Sequence, residues 1–174
     1  MAYVDIASGG ATFRITYTQT SDIATNKSVI KVTNLQVKLS SYTGQFYFNG
    51  KITIAGQTAV SMSSTNGTHY ANVNAKDTFY KVNGTYGSVT IAHDDDGTKS
   101  VVFATVSIKG YYNGSSKFTS SGNKTVELTA IPRGLVHIDS GSGFEDYQVY
   151  IDNGSSWDLY MPYVDNGSSW DLCS

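Results

Sequence analysis

The sequence predicts an all-β protein: an antiparallel β-sandwich of jelly-roll or Ig-like type, followed by short β-hairpin repeats. Three observations carry this. Apolar and polar residues alternate over much of the chain, which is the pattern of strands with one buried face. Gly, Ser, Thr, Asn and Tyr are abundant while charged residues make up only 15%, a composition suited to strands joined by tight turns. The C-terminal segment repeats one short motif three times. At 174 residues the chain can bury one ordinary core, or form a domain of roughly 130 residues with an appendage.

The N-terminus, Met1 to Gly10, lacks the basic start and apolar run of a secretory signal, so export by that route is not expected. No uninterrupted apolar stretch is long enough to span a bilayer. Thr12 to Thr18 sets Phe13, Ile15 and Tyr17 against Thr12, Arg14 and Thr16 and reads as a half-buried strand. Ser28 to Ser40 alternates throughout, but its apolar residues change parity near Thr33, as in a long strand that bends or bulges there. Gln45 to Ile54, around Asn49-Gly50, and Thr58 to Met62 read as short strands with tight turns. Tyr70 to Ala75 and Thr78 to Val82 are weaker candidates.

Gly87 to Gly110 is the stretch around which the sandwich is expected to form. Ser88 to Ala92 and Thr98 to Lys109 read as two arms of a β-hairpin closed by Asp94 to Gly97. In the second arm Val102, Ala104, Val106 and Ile108 form the apolar face, predicting a central strand with that face on the core. Tyr111 to Gly114 makes a further turn, and Asn123 to Ile131 reads as the last sandwich strand. Pro132 cannot donate to a ladder, so the sandwich is expected to occupy residues 1–133 and the repeats 134–174.

The repeats begin at Ile138, Ile151 and Val164, at a constant spacing of 13, in the form [IV]-D-[NS]-G-S-[SG]-[WF]-[DE]. With Asn-Gly in a two-residue type I′ turn, Tyr150 would face Trp157, Tyr163 would face Trp170 and His137 would face Phe144. The aromatic residues Tyr150, Trp157, Tyr163 and Trp170, with Asp152 and Asp165, are the candidate ligand-binding or oligomer-interface residues. Flat rings beside short polar groups suit a carbohydrate platform. The plainer expectation is that Trp157 and Trp170 form the module's own core, because so small a unit has few other large apolar residues. Isolated hairpins are marginal in water, so the repeats point to association.

Other features imply less. Asp94-Asp95-Asp96-Gly97 resembles the opening of a calcium loop but lacks the remaining ligands, so an acidic turn is expected and no metal or other cofactor. His69, His93 and His137 have neither a metal-ligand spacing nor an ordered nucleophile, and the single cysteine, Cys173, has no evident histidine partner, so an enzyme is not expected. Five of the seven N-x-S/T sequons are Asn-Gly and read as turns. The net charge of −2 gives no basic stripe for phosphates and no block of like charge, which argues against nucleic acid and membrane as partners.

Thr12 to Arg133 resembles the β-sandwich of tail-associated minor structural proteins of siphophages that infect Gram-positive bacteria. The shared features are an early F-R-I-T-Y strand, V-K-V-T-N-L-Q-V, the hairpin S-V-T-I-A-H-D-D-D-G-T-K-S-V and the closing K-T-V-E-L-T-A-I-P-R. The Asn-Gly-Ser-Ser-Trp repeats look like short C-terminal repeats on phage structural proteins. The resemblance implies a tail, fibre or capsid-decoration subunit of a virion, made in the bacterial host cytoplasm. Its expected partners are copies of itself as a homo-oligomer, with a trimer among the candidates, and other virion proteins. A host cell-surface glycan is a further candidate, for the alternative of a carbohydrate-binding module.

Overall fold

The structure is a computed structural model describing residues 1–63, 67–132, 135–139, 141, 143–152, 154–160, 162–165, 167–168 and 170–172. Among them there are fifteen strands and no helix, so the chain is all-β. The first ten strands build the sandwich: β1 (Ala2–Ser8), β2 (Ala11–Asp22), β3 (Lys27–Leu39), β4 (Gly44–Ile54), β5 (Gln57–Met62), β6 (Tyr70–Val73), β7 (Phe79–Lys81), β8 (Ser88–Ala92), β9 (Ser100–Tyr112) and β10 (Ser115–Glu127). One sheet runs β1-β2-β3-β7, with β8 also on β3, and the other runs β10-β9-β4-β5, with β6 also on β4. The chain divides into two compact units. One is 1–20, 29–91 and 100–128, and the other is 21–28, 92–99 and 129–174.

The alternation seen in the sequence fills the core. Phe13, Ile15 and Tyr17 of β2 are buried, as are Phe46, Phe48, Ile52 and Ile54 of β4. Phe13 meets Phe48 edge to face at 5.8 Å, and Phe46 stacks on Tyr112 at 5.5 Å. Such aromatic pairs add about 0.5–1.5 kcal/mol beyond the area they bury.

Two long strands organise the sheets. In β3 the buried apolar residues are Ile30 and Val32, then Leu35, Val37 and Leu39, so the buried face changes at Thr33-Asn34 as the parity predicts. Val32 N–H donates to the carbonyl of Gly87, just before β8, while Gln36 to Lys38 pair with β7. In β4, Gly44 to Tyr47 pair with β6 and Gly50 to Ile54 with β5, while β9 lies along the other edge. Each long strand therefore spans two short partners and is interrupted near their junction.

Four expectations are corrected. β8 and β9 are not arms of one hairpin: β8 joins β3 in one sheet and β9 lies between β10 and β4 in the other, so the 92–99 turn carries the chain from sheet to sheet. The core face of β9 begins with Val101, Phe103 and Thr105, while Val102 and Val106 are each 42% exposed. A bulge at Ser107, with φ 47°, then turns Ile108 inward; an extra residue inverts the parity of everything beyond it.

Asn49-Gly50 is not a turn but the interior of β4. Gly50 has φ 144°, and a Cβ there would lie 2.7 Å from Ile108 Cα, so the register shift between Asn49 and Lys51 depends on a residue with no side chain. The strand paired with β9 begins at Ser115, eight residues before the alternation at Asn123, and β1 was not foreseen at all. Two turns are as expected: Ala55-Gly56 (φ 50° and 77°) and Asn113-Gly114 (φ 48° and 75°) have the positive φ pair of type I′ hairpins.

Gly50→Ala should lower stability by about 2–4 kcal/mol, through backbone strain and the clash with Ile108. Gly114→Ala, at φ 75° with nothing within 4 Å, should cost only about 1 kcal/mol. Chemical denaturation of the two variants tests this, and equal losses would refute the close-approach argument.

Candidate functional site: the C-terminal hairpins

The repeats form β11 (Leu135–Asp139), β12 (Phe144–Asp152) and β13 (Trp157–Tyr160) in one antiparallel three-stranded sheet, and β14 (Tyr163–Asp165) and β15 (Trp170–Leu172) in a separate hairpin. The expected register is displaced by two residues. Asp152 faces Trp157 and Tyr150 faces Leu159; Asp165 faces Trp170 and Tyr163 faces Leu172; Asp139 faces Phe144 and His137 faces Asp146. The connection is four residues long rather than two.

The aspartate explains the longer loop. Gly154 N–H donates to Asp152 Oδ1 at 2.8 Å, and Gly167 N–H donates to Asp165 Oδ1 at 2.8 Å, so a side chain closes the turn two residues on. Gly141, Gly154 and Gly167 adopt φ 82°, 87° and 85°, so the three copies share this backbone feature even where Ser140 replaces Asn. Because the displacement is even, it leaves each residue on its predicted side of the hairpin. Tyr150 and Trp157 become diagonal rather than direct neighbours, still within reach of large side chains.

The division into two sheets follows from Pro162. At the 13-residue spacing it corresponds to Val149, which lies inside β12 and pairs with Tyr160. Proline has no N–H to give a ladder, so the copies that share one continuous strand at β12 are separated between β13 and β14.

For Trp157, exposure corrects the expectation that the tryptophans form the module's own core. Trp157 is 69% exposed and Tyr150 50%; Tyr147, Ile151 and Tyr160 are also exposed. By register, Tyr150, Asp152 and Trp157 belong to one face of the sheet, and Tyr147, Ile151 and Tyr160 to the other. Both faces of this sheet therefore carry exposed aromatic or aliphatic groups. Tyr163 and Trp170 are placed by their strands alone, their side chains lying outside the described residues, as do Asn66, Arg133, Gly134, Asn153, Asn166 and Cys173.

Asp94, Asp96, His93 and His69 have local partners. Asp96 Oδ1 accepts from Thr98 N–H at 2.9 Å and Thr98 Oγ1 at 2.7 Å, and Asp94 pairs with Lys99 at 2.6 Å. His93 is buried; Nδ1 donates to the Gly97 carbonyl at 2.7 Å, since a carbonyl can only accept, and Nε2 is 2.8 Å from Ser28 Oγ. Asn26 Nδ2 donates to the Asp94 carbonyl at 2.9 Å, and Ile131 N–H to that of Gly97 at 2.9 Å. His93 and the acidic turn thus tie three chain segments together. His69 is buried against the Thr85 carbonyl at 3.0 Å. Among the described residues no three His, Cys, Asp or Glu side chains gather as metal ligands would.

The small net charge conceals a division that whole-chain composition missed. The unit comprising 1–20, 29–91 and 100–128 holds nine Lys and Arg against three acids, Asp5, Asp77 and Glu127. From Leu135 to Ser174 there are seven Asp and Glu and no Lys or Arg. The sandwich is basic and the repeats are acidic.

Arg14 is another arrangement that sequence reasoning missed. It faces Asp5 across β1 and β2, binds both its carboxylate oxygens at 2.8 and 2.7 Å, and lies over the rings of Tyr3 and Phe79. Only the folded register brings these residues together.

Comparison with known protein families, with curated proteins and with solved structures finds no match to this chain.

The bonds from Thr98 hold the Asp96 carboxyl below the usual carboxylate range. Depression of the folded-state pKa means that this stabilisation is present above the ordinary aspartate pKa of about 3.9 and is lost as pH falls through the lower folded value. NMR titration should find Asp96 below its usual range in the native protein and shifted upward in Thr98→Val. An unshifted Asp96 in the native protein would refute the assignment.

Proposed function

We propose that this chain is a structural subunit of a bacteriophage virion, of tail, fibre or capsid-decoration type, in which the sandwich is the folded body and the hairpin repeats join it to copies of itself or to neighbouring virion proteins. The observation carrying this reading is the exposure of aromatic and aliphatic groups on both faces of the three-stranded repeat sheet. A two- or three-stranded unit gains little stability alone, and association would bury the exposed Tyr147, Tyr150, Ile151, Trp157 and Tyr160. The resemblance of Thr12 to Arg133 to siphophage tail-associated proteins supplies the virion setting. On this reading the protein is non-catalytic and is made in the bacterial host cytoplasm.

A second reading has its own support. Tyr150 and Trp157 lie on one face beside Asp152, a combination suited to stacking on a sugar ring and bonding its hydroxyls. A carbohydrate-binding module for bacterial surface glycans is compatible with a virion protein that also meets its host.

Among the described residues the large buried aliphatic and aromatic side chains precede Pro132, so deleting Leu135 to Ser174 should leave a folded sandwich and abolish assembly. Light scattering at matched concentration checks this; an unchanged oligomer would sink the assembly reading. Replacing Trp157 and Trp170 with alanine should abolish retention on bacterial cell-wall polysaccharide without changing the oligomer if the glycan reading holds, and unchanged retention would reject it.

A further inference from the structure

The outer face of the sandwich has a depression where two irregularities meet. Asn49 pairs with Lys109 and Lys51 with Val106, while Gly50 on β4 and Ser107 and Ile108 on β9 fall between these pairs as the ladder shifts register. The interruption opens a shallow depression of about 330 Å³ lined by Lys51, Val106, Lys109 and Tyr111, among others. Val106 is 42% exposed there. Its character is specific: an aliphatic and an aromatic group together with two lysines, on a unit with three times as many cations as acids.

The hairpin repeats have the complementary chemistry. In each copy an aromatic residue lies opposite an aspartate across the strands and is followed in the chain by a carboxylate: Trp157 by Asp158, Trp170 by Asp171 and Phe144 by Glu145. By register the cross-strand aspartate shares the ring's face and the following carboxylate lies on the opposite face, so each hairpin carries a ring and acids that complement the lysines of the depression, with cation–π attraction added to the charge pairing. From Leu135 onward there is no Lys or Arg to oppose it.

We propose that the acidic aromatic hairpins of one copy dock in the basic depression between β4 and β9 of a second copy. The inference rests on the reading of the repeats as an assembly device and gives that device a receptor. The contact is head to tail, using different surfaces on the two partners, so it builds a ring where the rotation closes and a filament where it does not. Its charged part weakens as salt shortens the screening length from about 10 Å at 0.1 M to about 3 Å at 1 M.

The test uses the full chain. Light scattering should show self-association at about 0.05 M NaCl, with an apparent Kd at least tenfold weaker at about 1 M. Two double variants, Lys51→Glu/Lys109→Glu and Asp158→Lys/Asp171→Lys, leave the loop-closing Asp152 and Asp165 in place. Each alone should associate at least tenfold more weakly than the native chain, with an unchanged thermal transition as the check on folding. Mixed in equal amounts they should associate again, because the acidic hairpins of the first meet the intact lysines of the second. If Lys51→Glu/Lys109→Glu associates like the native chain, or the mixture fails to recover, the depression is not the receptor although the repeats still assemble. If the native chain is a monomer at about 0.05 M salt, the assembly reading fails as well.

Discussion

The close approach of Gly50 to Ile108 is the constraint on which the rest of the sandwich depends. A strand of eleven or thirteen residues that kept one strict alternation would present the same side along its whole length. Here β9 must cover the core with Phe103 at one end and Ile108 at the other, residues of opposite parity. One residue too many, Ser107, resolves the conflict, and β4 accommodates it where no Cβ stands in the way. The same displacement leaves Val106 outward, in a depression it lines with Lys51 and Lys109, so a packing requirement of the interior shapes the exterior.

How much of this was legible depended on whether the signal was local. The face change in β3 could be read because Ile30, Val32, Leu35 and Val37 are all strongly apolar and their parity shifts once. The corresponding change in β9 could not, because Val101 to Val106 are nearly all apolar and support either face; partners from β4 and β10 decide it. Likewise Asn49-Gly50 has the chemistry of a turn, and only its place between β9 and β5 makes it strand. Ser115 to Gly122 was overlooked because Ser and Thr fill its positions, and the buried Phe118 and Ser120 gave too little apolar contrast.

In the repeats the side of the hairpin was legible and the register was not. Asn-Gly predicts a two-residue turn when the flanking residues are neutral, but an aspartate immediately before it offers a side-chain acceptor that favours a longer loop. The charge division was equally present in the sequence. It was hidden by summing over the whole chain, and only the boundaries of the compact units show that the cations and the carboxylates belong to different parts of the molecule.

The spacing of 13 has a geometric consequence. It is the four residues of a loop plus the nine of β12, and a strand with an odd number of residues begins and ends on the same side. A tail grown or shortened by whole units therefore keeps its side assignment, whatever its length. Chains of different reach could arise by duplication of a short coding segment, with no compensating change elsewhere. Pro162 separates the final unit from that shared sheet, leaving it a short edge that offers little to an unwanted neighbouring strand.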